Sequence, residues 1–344
     1  MVEVIQKDAL NVFNKINCKS LENKKILITG STGLIGLHTL AFLKEAKKHF
    51  KFSITCVINS EIDKNVHQLF DDCFIVKGNL TENETINHLR EMCSNDFYGY
   101  DIIFHAAGYG QPQKFMSNKI ATIKLNTEVI VNLFSLLNNG GKFLYCSTSE
   151  IYSGLDSENI TESMIGCTTP DHPRSCYIES KRCGEAICNT YADYGYDVKV
   201  ARISLAYGPG TKRDDARVLN NFIQKAFETG KIELLDCGSS LRTYGYISDI
   251  TKMLWNILLY GCERTYNVSG KSKITIFDLA NVVAEKLSVK VILPENDNNS
   301  LSGNPKMVGL NLDKYCKEFN DYDFVDLNTG IENTIKWQKE IYAK

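Results

Sequence analysis

Tyr177 and Lys181 stand four residues apart in the stretch CYIESKR at 176–182. On a helix that spacing projects both side chains from one face. A free phenol titrates near about 10 and is a poor base at neutral pH, but a neighbouring ammonium and an adjacent positive ring both favour its phenolate. The pair then serves to take a proton from an alcohol, or it is a solvated helix face, since the spacing alone is common. Upstream, YCSTSEIYSG at 145–154 closes an expected strand and offers Thr148, Ser149 and Glu150. Ligands of open parallel sheets bind at the carboxyl ends of strands. A hydroxyl there would share the hydrogen bond of a reacting alcohol, and a carboxyl would act as acid or base.

A second group is built from glycine. TGSTGLIG at 29–36 sets Gly30, Gly33 and Gly36 between an expected strand and an expected helix, with Thr32, Leu34 and Ile35 in the same turn. Without Cβ atoms the backbone turns tightly and approaches a pyrophosphate, whose charge sits at the helix N-terminus. The acidic residue expected after the second strand to hold a ribose 2′-hydroxyl is missing. Asn59 stands there, followed by Ser60, with Lys64 nearby. Asn bonds a ribose hydroxyl without repelling a 2′-phosphate, so NAD is preferred and NADP is not excluded. Asn79, followed by Leu80 in KGNL, would bond the adenine amino group or simply shape a turn. Ala106 and Ala107 of HAAG follow the fourth expected strand beside the cofactor, and His105 before them reads as structural.

These residues need a frame to hold them. Short apolar runs at 24–30, 52–59, 73–79, 101–107, 141–147 and 198–206 read as strands, with helical periodicity at 34–48 and between most of the others. The alternation predicts an α/β fold, a Rossmann-type doubly wound parallel sheet flanked by helices, with a smaller C-terminal α/β substrate-binding lobe. The expected division is an N-terminal extension over 1–22, partly helical; a dinucleotide-binding domain over 23–206 plus parts of 240–270; and a lobe built mainly from 207–344. Expected elements of that lobe are helices at 216–229, 248–260, 275–287 and 328–342, a strand at 231–236 and a loop at 294–305.

The 344 residues carry 39 Lys plus Arg against 41 Asp plus Glu, a net charge of -2. That balance gives no electrostatic reason to expect nucleic acid or an anionic membrane as partner. The twelve cysteines are scattered without Cys-x-x-Cys pairs or a His cluster, so no metal is expected and they read as reduced thiols of a cytoplasmic protein. The N-terminus lacks the basic-then-apolar order of a signal peptide, and no apolar run is long enough to span a bilayer.

The glycine loop, HAAG, STSEIY, Tyr177-x-x-x-Lys181, YGPG at 207–210 and YISD at 246–249 together resemble the extended short-chain dehydrogenase/reductases that act on nucleotide sugars. The resemblance covers about residues 24–290. STSE, PRSCYIESKR and DDARVLNNFI are most similar to the UDP-glucuronate decarboxylases, also called UDP-xylose synthases. The resemblance implies that Tyr177, aided by Lys181 and Thr148, takes the proton of the sugar 4-hydroxyl while C4 gives hydride to a tightly held NAD. Carbon dioxide then leaves from the 4-keto sugar, with Glu150 and Ser149 managing its protons. Arg217 matches the family arginine at the carboxylate, Arg242 the one at the diphosphate and Asn221 an asparagine near the nucleotide. Asn126 matches the mid-helix asparagine that supports the active site, or it is a helix-surface amide.

Departures from the family pattern lie at Leu205, in place of an asparagine, and at Gly210, in place of an arginine. The loop AAGYGQPQKF also differs, and its Tyr109, Gln113 and Lys114 are expected substrate contacts. A 4-epimerase, a 4,6-dehydratase or a C4 dehydrogenase would keep the same proton-transfer set, whereas a non-catalytic dinucleotide sensor would not need it. The helices around 119–139 and 175–195 correspond to those that pair in homodimers of the superfamily. Their apolar residues Val129, Leu133, Leu136, Ile187 and Tyr191 would line that interface or face the chain's own sheet.

Overall fold

The computed structural model describes residues 2–96, 99–295 and 307–342. Seven parallel strands form its larger sheet, in the spatial order Thr265–Val268, Asp197–Ile203, Leu137–Thr148, Tyr100–His105, Lys25–Thr29, Ser53–Ile58 and Phe74–Lys77. Ile26 and Ile28 enter one hydrophobic core and Leu27 the other, as side chains alternating across a parallel sheet buried on both faces must. The helices Leu34–Ala46 and Ile247–Tyr260 cover the first face, and the N-terminal helix Val2–Phe13 packs on both. Trp255 fills that layer between Phe42 and Phe104, ring centroids 5.2 and 5.6 Å away. Asn83–Asp96, residues 119–134 and Ser175–Asp193 cover the second face. Strand order reverses between Lys25–Thr29 and Tyr100–His105, and a crevice opens at that switch point.

A smaller sheet combines Ser272–Thr275, Leu241–Tyr246, Met307–Leu310 and Ser157–Ile160, with Leu205–Tyr207 paired to Leu241–Tyr246. The apolar run expected as one strand over 198–206 therefore divides. Ser204 N–H still bonds the Val268 carbonyl at 2.9 Å while its hydroxyl donates to the Thr243 carbonyl. The chain changes sheets at that residue. The helix expected over 119–139 also divides, into Lys119–Asn126 and Glu128–Phe134, because Thr127 leaves helical geometry at φ −132°, ψ −83°. From Leu137 the chain is already strand. The loop expected at 294–305 lies, from residue 296 on, outside the described residues.

One buried ion pair fixes the helix Ser175–Asp193 to its strand. Arg202 Nη2 lies 2.8 Å from Glu185 Oε2, both side chains almost wholly enclosed. Glu185 also accepts from the Ser147 hydroxyl, and Arg202 Nη1 donates to the Tyr152 hydroxyl and the Glu162 carbonyl, both at 2.8 Å. With every group bonded the pair is tolerated in a dry interior, and removing one member leaves the other charge buried alone. Arg202→Met is expected to lower unfolding free energy by about 3–5 kcal/mol in denaturant titration. A loss below about 1 kcal/mol, the size of an exposed pair, would show that the network does not hold this helix.

Candidate active site

The crevice is a cavity of about 400 Å³. Gly30, Thr32, Gly33, Leu34, Ile35 and Gly36 line it from the glycine loop, Asn59 from the end of the second strand, Asn79 and Leu80 from the third, and Ala106 and Ala107 from the fourth. Gly30 has φ +73°, and a Cβ there would stand 2.5 Å from the Ala106 carbonyl oxygen. Only glycine lets these two strand ends meet. Gly33 begins the helix Leu34–Ala46 without any side-chain cap, so the unpaired amides of the first turn remain for an anion. The cradle fits the diphosphate of a dinucleotide. Asn79 also shapes its own turn, accepting from Thr81 N–H at 3.1 Å and donating to Glu82 at 3.3 Å.

His105 is structural. Its Nε2 donates to the Leu125 carbonyl at 3.1 Å and its Nδ1 accepts from the Thr29 hydroxyl at 2.7 Å. Burial holds the ring down at about 3, so it is neutral at physiological pH. Asn126 lies behind the cavity wall and lines no part of it, contrary to its expected place among the cofactor contacts. It is buried, donates to the Ser180 hydroxyl at 3.0 Å and accepts from the Tyr145 hydroxyl at 3.3 Å. It thereby locks the helix that carries Tyr177. Gly184 admits this contact, since a Cβ there would meet both the Asn126 carbonyl oxygen and the Tyr145 hydroxyl at 2.5 Å.

Tyr177 and Lys181 sit on one face of Ser175–Asp193, 8% and 5% exposed. The phenol shares a hydrogen bond with Thr148, whose side chain also caps the turn Ser149–Tyr152 by accepting from Glu150 N–H at 3.2 Å. Arg182 ties that turn to the helix, donating to the Ile151 carbonyl at 2.6 Å and to Glu179 at 2.7 Å. The Lys181 ammonium donates to the Cys146 carbonyl at 2.7 Å, 4.6 Å from the Tyr145 ring and 6.0 Å from that of Tyr177. It lies just behind the wall, 4.0 Å from where a Gly108 side chain would begin.

Burial changes the expected protonation. Desolvation pushes the Tyr177 phenol up to about 12 despite the Thr148 bond and the nearby Arg174 and Arg217, and it holds Lys181 down at about 8. The ammonium alone therefore does not make Tyr177 a phenolate, because the cost of burying that charge exceeds what its neighbours return. Phe115 is the reason for the depth. Its ring stacks on Tyr177 at 4.6 Å and 3°, and the catalytic candidates Thr148, Ser149, Glu150, Tyr177 and Lys181 lie outside the cavity lining.

Arginines converge on this corner. Arg174 pairs with Glu150 at 2.6 Å and lies 5.5 Å over the Phe115 ring. Arg217 lines the cavity, but its fork is held by Asp215, Nη2 to Oδ2 2.6 Å, with Nη1 on the Ala206 carbonyl at 3.1 Å. Arg242 lies on Leu241–Tyr246 outside the lining, in the electrostatic field of Tyr244, Glu150 and Arg174. Of the remaining expected contacts, Tyr109 and Lys114 line the cavity, whereas exposed Gln113 and half-buried Asn221 do not. Gln113 follows Pro112 on the outer side of the helix Pro112–Ser117, whose inner side is taken by Phe115. Asn221 begins the second turn of Val218–Thr229.

Sequence reasoning missed Phe115 and Arg174, and of the strap 208–217 it named Gly210 and Arg217 but not Thr211, Lys212 or Asp215. Gly210, Thr211, Lys212 and Asp215 line the cavity from that strap. His38 donates to the Pro209 carbonyl at 2.7 Å and Trp337 to that of Thr211 at 3.1 Å, while Lys114 reaches Asp214 across the cleft at 2.9 Å. Arg174 was legible in PRSCYIESKR, where a cation directly precedes the helix. Nothing in the spacing marks Phe115 or Lys212.

Among the described residues no group of His, Cys, Asp or Glu could hold a metal, and no helix is long and apolar enough to cross a membrane. UDP-glucuronic acid decarboxylase 1 of Danio rerio is 30% identical over 267 residues, 76% of this chain and 60% of that protein. The chain thus spans less than two thirds of that relative. UDP-glucuronic acid decarboxylase 6 of Arabidopsis thaliana is 30% identical over 285 residues, covering 80% of this chain and 78% of its own. In fold the chain is similar to an epimerase from Methanothermobacter thermautotrophicus, with TM-score 0.80 and 19% identity over 97% of this chain and 96% of the other. Residues 26–269 match the model of the NAD dependent epimerase/dehydratase family, and with the glycine cradle, the sevenfold parallel sheet and the Tyr177–Lys181 helix agreeing, the chain belongs to that family.

Proposed function

We propose that the chain is a UDP-glucuronate decarboxylase working through a 4-keto sugar. The observation that carries this reading is the convergence of Arg174, Arg217 and Arg242 on the corner that holds Tyr177, Thr148 and Glu150. A substrate with a diphosphate and a carboxylate supplies anions for such a set. The bound dinucleotide supplies the acceptor, and later the donor, of the hydride at C4. Tyr177, hydrogen-bonded to Thr148, takes the proton of the 4-hydroxyl. Once C4 is a carbonyl, the carboxylate on C5 is β to it and carbon dioxide leaves readily. Glu150, oriented by Arg174, returns a proton to C5 with Ser149 beside it, and Lys181, whose ammonium lies behind Gly108, would hold its charge toward a bound cofactor. Displacement of Phe115 from the Tyr177 ring makes room for the sugar.

A second reading has its own observation. Asp215 already occupies the Arg217 fork, which favours a 4-epimerase that asks nothing of a carboxylate. Leu205 removes a polar side chain from the substrate side, and Gly210, at φ +95°, is a position where an arginine would be strained. Mass spectrometry of reactions with UDP-glucuronate separates the readings. Release of carbon dioxide supports the first, and an acid inverted at C4 supports the second.

The reading includes a cytoplasmic enzyme, consistent with twelve free cysteines, and a homodimer. Val129, Leu133 and Leu136 are buried in the chain's own core, whereas Ile120 and Ile123 on Lys119–Asn126 and Val131 on Glu128–Phe134 are 70%, 40% and 45% exposed. A second copy pairing through this face would cover them. Ile120→Lys is expected to shift the mass in analytical ultracentrifugation from dimer to monomer, and an unchanged mass contradicts the interface.

Tyr177→Phe is expected to lower turnover by about 10²–10⁴-fold, the usual worth of a positioned acid or base, while leaving dinucleotide binding within about twofold. Unchanged turnover of every nucleotide sugar tested removes the catalytic role. Because burial holds Lys181 at about 8, its ammonium is lost as pH rises through that value. The initial rate should fall across the same window, and Lys181→Arg, whose guanidinium keeps its proton, should abolish the fall. A falling limb that survives in Lys181→Arg assigns the titration elsewhere.

A further inference from the structure

The ribose end of the cavity lacks the carboxylate that selects an unphosphorylated dinucleotide. Asn59 occupies that position and Ser60 follows it, both lining the cavity. The Ser60 hydroxyl lies 3.0 Å from that of Thr32, and Lys212 approaches it from the strap 208–217 with Nζ at 3.5 Å. Three donors of these types, two hydroxyls and an ammonium, converge on one point.

Lys212 is poorly served by its surroundings. It is half-buried, and burial lowers its proton affinity. Among the described residues no carboxylate stands within ion-pair distance of its ammonium. The acids around it are engaged elsewhere: Asp214 by Lys114 at 2.9 Å, Glu61 by Lys77 at 2.7 Å, and Asp63 by the Asn65 N–H at 2.8 Å. The strap cannot easily carry Lys212 away, since the Pro209 and Thr211 carbonyls are held by His38 and Trp337 and the Thr211 hydroxyl donates to the Gly208 carbonyl at 2.8 Å. A partly desolvated cation fixed beside two hydroxyls favours an anion with several acceptor oxygens.

We propose that Lys212, with Ser60 and Thr32, forms a seat for the 2′-phosphate of a phosphorylated dinucleotide, so that the chain binds NADP as well as NAD. This rests on the cavity being a dinucleotide seat. It assigns the choice between the two dinucleotides to the strap across the cleft, not to the end of the second strand. An unphosphorylated ribose leaves Lys212 bonded to Ser60 alone and loses nothing else.

Isothermal titration calorimetry on protein dialysed free of resident dinucleotide tests this, with NAD and NADP titrated into the wild type, Lys212→Ala and Lys212→Arg. The wild type is expected to bind both. Lys212→Ala should weaken NADP by roughly tenfold or more, the worth of a charge-assisted bond, and change NAD less than about twofold, with Lys212→Arg restoring most of the NADP affinity. NAD binding with no NADP binding overturns the seat and keeps the cavity. Equal weakening of both dinucleotides by Lys212→Ala also overturns it, placing the ammonium on the diphosphate they share. Binding of neither to the wild type overturns the dinucleotide reading and the seat together.

Discussion

The free energy of burying a phenolate is the constraint around which this site is arranged. Tyr177 lies under the flat face of Phe115 and against its own helix, and at that depth water cannot stabilise a negative oxygen. Its proton is consequently held to about 12. What lowers that value must come from charge brought close in a low dielectric. The arginines at 174 and 217 contribute, and Lys181, itself held at about 8, has its ammonium turned to the Cys146 carbonyl. On the proposed reading, the cationic ring of a bound NAD would complete the balance, and proton abstraction by Tyr177 would depend on that ring.

Much of the fold serves to keep this helix in place. Gly184 lets it approach Tyr145, Asn126 joins Tyr145 to Ser180, and the Arg202–Glu185 network pins it to the strand below. Arg182 carries the restraint to the turn that presents Ser149 and Glu150. The cleft is bounded by a chain that changes sheets at Ser204 and returns as a strap held by His38 against the helix Leu34–Ala46, which brings Lys212 and Arg217 to the cavity. Two stretches distant in the sequence thus line one cavity. The Lys114–Asp214 contact spans the gap between them.

The parallel sheet was legible because its inner strands are buried on both faces and read as bounded apolar runs, whereas the edge strand Thr265–Val268 was not among those runs and the opposite edge strand Phe74–Lys77 is largely exposed. The glycine loop was legible because only glycine permits its geometry, and eleven of the expected cofactor residues stand in the cavity wall. Asn126, expected among the cofactor contacts, is buried and bonds Ser180 and Tyr145 behind the cavity wall, a distinction that no spacing encodes. The break at Ser204 was hidden because apolar residues continue through the change of sheet. Phe115 and Lys212 were hidden for a different reason. Their importance comes from what folds over them, not from their neighbours in the chain. Pattern also shows the ammonium beside Tyr177 and not the desolvation that opposes a phenolate there.

The most direct test is ultraviolet difference absorbance of tyrosinate during a pH titration, with and without NAD, in the wild type and in Tyr177→Phe. Addition of NAD should bring one tyrosine down from the strongly alkaline range toward neutrality, and this tyrosine should be missing in Tyr177→Phe. A tyrosine that titrates near neutrality without NAD, or a Tyr177 signal that NAD leaves unmoved, would contradict a proton held by burial and released by the cofactor's charge.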